Sequence, residues 1–270
     1  MRRRTMSRGD LEFLLEANGL GDDEARRVGQ QLRADPQLRA SLVDNEAVFA
    51  RVLDDDEIQL KISPPLFFEI LLCKARSDLQ QISYTVEQAG GVSVPVFDAA
   101  EVLEILDDDA VLGYMAEMLA SFTRAQSRWV DVRGKGRVWR RVRYSDLDIW
   151  SLMRLAEAVE PARRLAVFQR IADLCLFVLG MFPDHAELEY RYPVSGELRP
   201  RLGRAGISPD EYEARGRQFY RLAAEQRGAQ GRDLSDVFMT LHEGFQQALK
   251  PLNFISLHYL QFTGWRALQD

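Results

Sequence analysis

Between Arg124 and Tyr144 the chain carries Arg124, Arg128, Arg133, Lys135, Arg137, Arg140, Arg141 and Arg143 against a single acid, Asp131. This stretch is +7 in a chain whose net charge is −6, so the remainder carries −13. The pattern WVDVRGKGRVWRRVRY alternates as a strand pair does, with Gly134, Lys135 and Gly136 as a three-residue turn. That turn sets Arg133 opposite Arg137, Asp131 opposite Trp139 and Trp129 opposite Arg141. Val130, Val132, Val138, Val142 and Tyr144 then share a face suited to the core. Trp129, Arg133, Arg137, Trp139, Arg141 and Arg143 share the other, with Lys135 at the tip.

Guanidinium groups interleaved with indoles suit an anionic partner, either an acidic protein surface or a single-stranded nucleic acid whose bases stack. The competing reading is structural. The arginines lie along the indoles, pair with nearby acidic helices and keep an exposed strand pair soluble. The net acidity and a pI near 5.3 argue against non-specific coating of nucleic acid and leave room for a local basic patch.

Glu69 (LFFEILL) and Glu117 (YMAEMLA) each sit among apolar neighbours. Two buried carboxylates at equivalent places would suit acid/base or metal chemistry, whereas the structural alternative pairs each with an arginine such as Arg124 or Arg154. The histidines, His185, His242 and His258, form no HExxH, ExxH or Cys/His cluster. Neither a GxSxG elbow nor a phosphate-cradling glycine loop occurs, so no cofactor or metal is implied. The acidic run Asp54 to Glu57 reads as a solvated turn, because consecutive carboxylates point in different directions. Cys73 and Cys175 fall within apolar helical runs and read as small buried hydrophobes, which fits a reducing cytoplasm.

The elements that must position these residues are mainly helical, with a minor antiparallel β component of two short hairpins. Pro161 to Phe182 (PARRLAVFQRIADLCLFVLGMF) becomes apolar nearly all round in its second half and reads as the central core helix. It is too short and too charged to span a membrane. Around it the chain divides into a disordered leader at 1–9, N-terminal helices at 10–62, a core at 63–183 with both hairpins, a long loop at 184–207 and C-terminal helices at 208–270. The leader has no apolar stretch of a secretion signal. Helices are expected from Asp10 to a glycine stop at Gly19, from Asp22 to Ala34 and from Asp35 to Leu53.

Between 63 and 158 one pattern reads twice. Helix 65–76, hairpin 82–97 and helix 98–106 are followed by helix 109–123, hairpin 128–144 and helix 145–159, a duplicated helix-hairpin-helix unit. Asp98 with Glu101, and Ser145 with Asp148, have capping-box spacing. Helices 208–226 and 233–249 follow the loop, with Pro251 ending the second and an apolar segment from Leu252 to Phe262 closing the chain. Tyr212, Gly216 and Phe219 resemble the spacing of one tetratricopeptide unit, a single copy where stacking needs three or more.

The leading expectation is a non-enzymatic cytoplasmic interaction or regulatory protein that holds an acidic partner on the Trp/Arg hairpin, with the Arg-rich loop 191–204 as a second cationic element. Nucleic-acid binding by the same hairpin is the first alternative. A helical enzyme built on buried Glu69 and Glu117 is the second.

Overall fold

The structure, a computed structural model, describes residues 6–21, 27–29, 31–32, 35–55, 57–81, 85–89, 92–96, 98–123, 127–133, 139–182, 207–231 and 233–260. It is mainly helical, and its contacts divide into two units. An N-terminal unit takes residues 2–123 together with 254–270, and a C-terminal unit takes 124–253.

In the N-terminal unit, helix α1 (Arg8–Ala17) begins earlier than its hydrophobic pattern suggested, inside the expected leader. Ser7 is the reason: its hydroxyl accepts from the Asp10 amide at 3.0 Å, and its own amide donates to Asp10 Oδ2 at 3.2 Å. Gly19, at φ +69°, supplies the left-handed residue that stops the helix. The continuous helix expected over 35–53 is two, α2 (Pro36–Val43) and α3 (Glu46–Asp54). Asp44 closes the first and Asn45 caps the second. Its oxygen accepts from the Ala47 amide at 2.9 Å, and its amide donates to Asn18 Oδ1 at 2.7 Å, so side-chain bonding to α1 replaces a helical turn.

A short α4 (Ile58–Lys61) leads into α5 (Pro64–Gln81), in which every residue from Leu66 to Cys73 is buried. Strands β1 (Thr85–Ala89) and β2 (Val92–Val96) pair antiparallel with Val86 opposite Pro95. Helices α6 (Ala99–Asp107) and α7 (Asp109–Phe122) then pack against α5 and each other. Asp98 stands at the N-cap of α6, but its side chain makes no capping bond, contrary to the box expected with Glu101.

The C-terminal unit opens with β3 (Ser127–Arg133) and β4 (Trp139–Ser145), paired antiparallel. Helix α8 (Ile149–Ala158) is capped by Asp148, whose carboxylate accepts from the Trp150 and Ser151 amides; Ser145 ends the strand instead of opening a capping box. After a single 3-10 turn (Pro161–Arg163), α9 (Arg164–Met181) runs through the middle of this unit. The expected central helix therefore exists, but it organises residues 124–253 only; α5 is the buried helix of the other unit.

Helix α10 (Pro209–Ala224) packs along α9 and against α12 (Ser235–Glu243), with the short α11 (Arg227–Gln230) between them in sequence. Phe168 meets Phe219 at 5.6 Å between ring centroids, and Tyr220 stacks on Phe238 at 6.0 Å. The helix expected to end at Pro251 breaks earlier, at Gly244. Pro251 lies buried inside α13 (Phe245–His258), where packing outweighs its missing amide donor.

The two stretches read as one repeated unit part company. Helix α7 packs with α5 and α6, whereas α8 packs with β4 and α9. The contact boundary at 123/124 falls between α7 and β3, inside the second copy.

Candidate interaction face and buried polar pairs

The register of β3 and β4 pairs Arg133 with Trp139, Asp131 with Arg141, Trp129 with Arg143 and Val130 with Val142. This differs by two positions from the register that a Gly134-Lys135-Gly136 turn would impose: five residues separate Arg133 from its partner Trp139, where that turn would leave three between Arg133 and Arg137. A one-residue slip would move every side chain to the other face, whereas a two-residue shift preserves them. Trp129, Asp131, Arg133, Trp139, Arg141 and Arg143 therefore still share one face by parity, and Arg128, Val130, Val132, Arg140, Val142 and Tyr144 share the other. The partners change: Asp131 stands opposite Arg141 rather than Trp139, and each tryptophan stands opposite an arginine. Lys135 and Arg137, along with the expected turn and Val138, lie outside the described residues, as do His185 and the loop 191–204.

The ladder ends at Ser145, where the Asp146 carboxylate approaches Arg170 Nη2 at 4.0 Å. Four residues on, Trp150 carries the Arg215 guanidinium 4.9 Å above its ring, and Arg215 also contacts Met153 Sδ and Glu211. An arginine from residues 209–224 thus lies on an indole of α8, directly after the strand pair.

The paired-carboxylate reading fails at Glu117, which is exposed on α7 although its neighbours are buried. Glu69 is buried and pairs with Arg39 of α2; Arg124 lies outside the described residues. Each terminal guanidinium nitrogen donates to one carboxylate oxygen, both at 2.5 Å. A bidentate pair of this kind consumes the carboxylate that acid/base chemistry would require.

His242 Nδ1 donates to the Arg217 carbonyl at 2.9 Å, and His258 Nδ1 donates to the Phe254 carbonyl at 3.0 Å. Among the described residues no group of three or more His, Cys, Asp or Glu is placed to hold a metal. Burial pushes the Cys73 thiol up to about 12 and raises Cys175 further, so both are protonated at neutral pH.

Three polar features went unrecognised in the sequence. Asp10 is buried and accepts from the Ser63 amide at 2.6 Å and the Ser63 hydroxyl at 2.8 Å, tying the start of α1 to the start of α5. Its place three residues after Ser7 was a readable signal. Asp173, buried in α9, accepts from the Tyr220 hydroxyl at 3.0 Å. A carboxylate set in the apolar run IADLCLF was the clue there.

The third is a network at the end of α5. Lys74 bridges Glu46 and Asp78 at 2.8 and 2.9 Å and sits 5.2 Å from the Phe49 ring centroid, while the Tyr259 hydroxyl donates to Asp78 at 2.6 Å. Burial works against the Lys74 charge, and the two carboxylates more than offset it. The pocket beside it, lined by Asp44, Asn45, Glu46, Phe49, Lys74 and Ser77, measures about 20 Å³, the space of a single water.

No helix among the described residues is long and apolar enough to cross a membrane. Comparison with protein-family models, with curated proteins and with solved structures finds no match to this chain.

Proposed function

We propose that this chain is a non-enzymatic cytoplasmic regulatory protein that holds an acidic protein partner on the Trp/Arg face of β3 and β4. The observation that carries the reading is the register: two tryptophans and three arginines share one face with a single acid, within a stretch of +7. Cations spaced along a strand meet an acidic segment through charge-assisted contacts, which set on-rate and partner choice more than raw affinity. The indoles supply apolar area beside them.

The test uses a defined acidic peptide and the tryptophan fluorescence of the folded protein. Replacing Arg133, Arg137, Arg141 and Arg143 together with glutamate should weaken binding by about a hundredfold, since like charge then faces like charge. Unchanged affinity would remove the hairpin from the interface.

A second reading, single-stranded nucleic acid, draws support from each tryptophan standing opposite an arginine, a pairing able to stack a base beside its phosphate. Phosphate contacts release counterions, so oligonucleotide affinity would fall steeply with salt, and Trp129→Ala or Trp139→Ala would weaken it further. Binding that is weak and insensitive to salt sinks this second reading.

A further inference from the structure

The chain has three asparagines, and Asn18 alone is followed by glycine. With no side chain on the next residue, the Gly19 nitrogen meets no steric barrier on its way to the Asn18 side-chain carbon, and asparagine in that setting closes readily to a succinimide. Gly19 is exposed, and no atom lies within 4 Å of where its Cβ would stand, so solvent and base reach this peptide freely.

What restrains it is hydrogen bonding. Asn18 Nδ2, the group that would leave, donates to the Leu14 carbonyl at 2.8 Å and to the Leu42 carbonyl at 3.2 Å. Its Oδ1 accepts from Asn45 Nδ2 at 2.7 Å. The Gly19 amide, the attacking group, donates to the Glu16 carbonyl at 3.0 Å. At φ −84° and ψ 2° for Asn18, the Gly19 nitrogen eclipses the backbone nitrogen of Asn18, whereas ring closure needs it turned over Cβ. The dipeptide is open to solvent yet locked out of its reactive geometry, and the lock joins the ends of α1 and α2 to the start of α3.

We infer that Asn18–Gly19 is a latent self-modification site, held unreacted by the junction of α1, α2 and α3 and released when that junction opens. In the open state a base takes the Gly19 amide proton and the nitrogen bonds to Asn18 Cγ. The Cγ–Nδ2 bond breaks, and Nδ2 departs as ammonia with a proton from water. Water then adds to either ring carbonyl and opens the ring to aspartate or isoaspartate, with nothing oxidised or reduced. The product does not rebuild the junction. A carboxylate has no hydrogen to donate to Leu14 and Leu42, whose carbonyls lie in the last turns of α1 and α2, at the negative ends of two helices. Conversion is one-way and marks chains whose N-terminal unit has opened.

Peptide mapping by mass spectrometry, on the full chain aged at mildly alkaline pH, tests this. Asn18 should convert at least about tenfold more slowly in the folded protein than in the same chain in urea, because reaction awaits local opening. Asn45→Asp keeps a cap for α3 but replaces the donor to Asn18 Oδ1 with a carboxylate, and should speed conversion of the folded protein about fivefold. If that variant fails to fold by circular dichroism, Asn45→Ser, which also caps and lacks the amide, takes its place with the same expectation. Asn18→Asp, which carries the product's side chain from the start, should bring alkylation of Cys73 to lower urea. A folded wild type that converts as fast as the unfolded chain, a rate indifferent to the change at Asn45, or a Cys73 midpoint unmoved by Asn18→Asp overturns the inference.

Discussion

Arg39 and Glu69 form a largely buried ion pair in the N-terminal unit. The Arg39 side chain is 21% exposed and that of Glu69 9%, so each charge has lost much of its water and depends on the other. Glu69→Ala should cost about 2–3 kcal/mol in urea unfolding, somewhat below the cost of breaking a fully buried pair. Arg39→Met with Glu69→Leu should recover most of that loss, because an apolar pair leaves no charge stranded. If the double variant is as unstable as the single, the geometry rather than the charge is what matters. Cys73 makes a second prediction. Its folded pKa is raised, so the unfolded thiol releases its proton first as pH climbs past about 9, while the folded thiol keeps its own until about 12. The unfolded state then binds fewer protons, and stability falls by about 1.4 kcal/mol per pH unit for this group. Unfolding free energies at pH 8, 9 and 10 should therefore slope less steeply in Cys73→Ala than in wild type; equal slopes would contradict the assignment. Residue types were legible at this scale, and partners were not. Glu69 stood out as a charge amid apolar neighbours, yet nothing in its own segment pointed to Arg39, thirty positions away.

At the scale of elements, caps and stops decide where helices begin and end. Ser7, Asp35, Asn45, Asp108, Asp148 and Ser208 each accept from amides of the first turn that follows. Such bonds span two or three residues, which is why a boundary such as the one at Asp35 could be read from the chain. The break at Asn45 is harder, because it also depends on Asn18 from a different helix. Packing between helices sets the sign of a further prediction. Gly216 lies within α10, where alanine would ordinarily add about 1 kcal/mol of helix propensity. Here a methyl would run into the Phe245 ring and approach Cys175 Cβ, both part of a closed core. Overpacking of this kind costs about 1–3 kcal/mol, so Gly216→Ala should destabilise, and Phe245→Leu in the same chain should relieve part of the loss. A stabilised Gly216→Ala would show that the ring can move aside. The β3–β4 register belongs to this scale too. Period-two alternation specifies which residues share a face, but two-residue shifts leave that alternation intact. The pairing of Asp131 with Arg141 was therefore not readable from the pattern.

For the whole molecule, the consequential feature is that each unit has its own buried helix and its own buried thiol, Cys73 in α5 and Cys175 in α9. Alkylation of each thiol under increasing urea, followed by mass spectrometry, reads the opening of its unit. The two cysteines should become reactive at different midpoints, since units with separate cores unfold with separate stabilities. Coincident midpoints would mean that the chain opens as one cooperative body. The sequence alone determined the helical class, the amphipathic faces, the cap at Asp35, the inert character of both cysteines and the concentration of positive charge in one strand pair. These follow from interactions within a few residues and from composition. Only the tertiary structure decided that the core is two, that Glu117 is exposed while Glu69 is paired, that Pro251 stays inside a helix, and that the Tyr259 hydroxyl reaches Asp78 from 181 positions away. Burial and partner choice are set by which surfaces meet when the chain closes on itself, and chain separation carries no record of that.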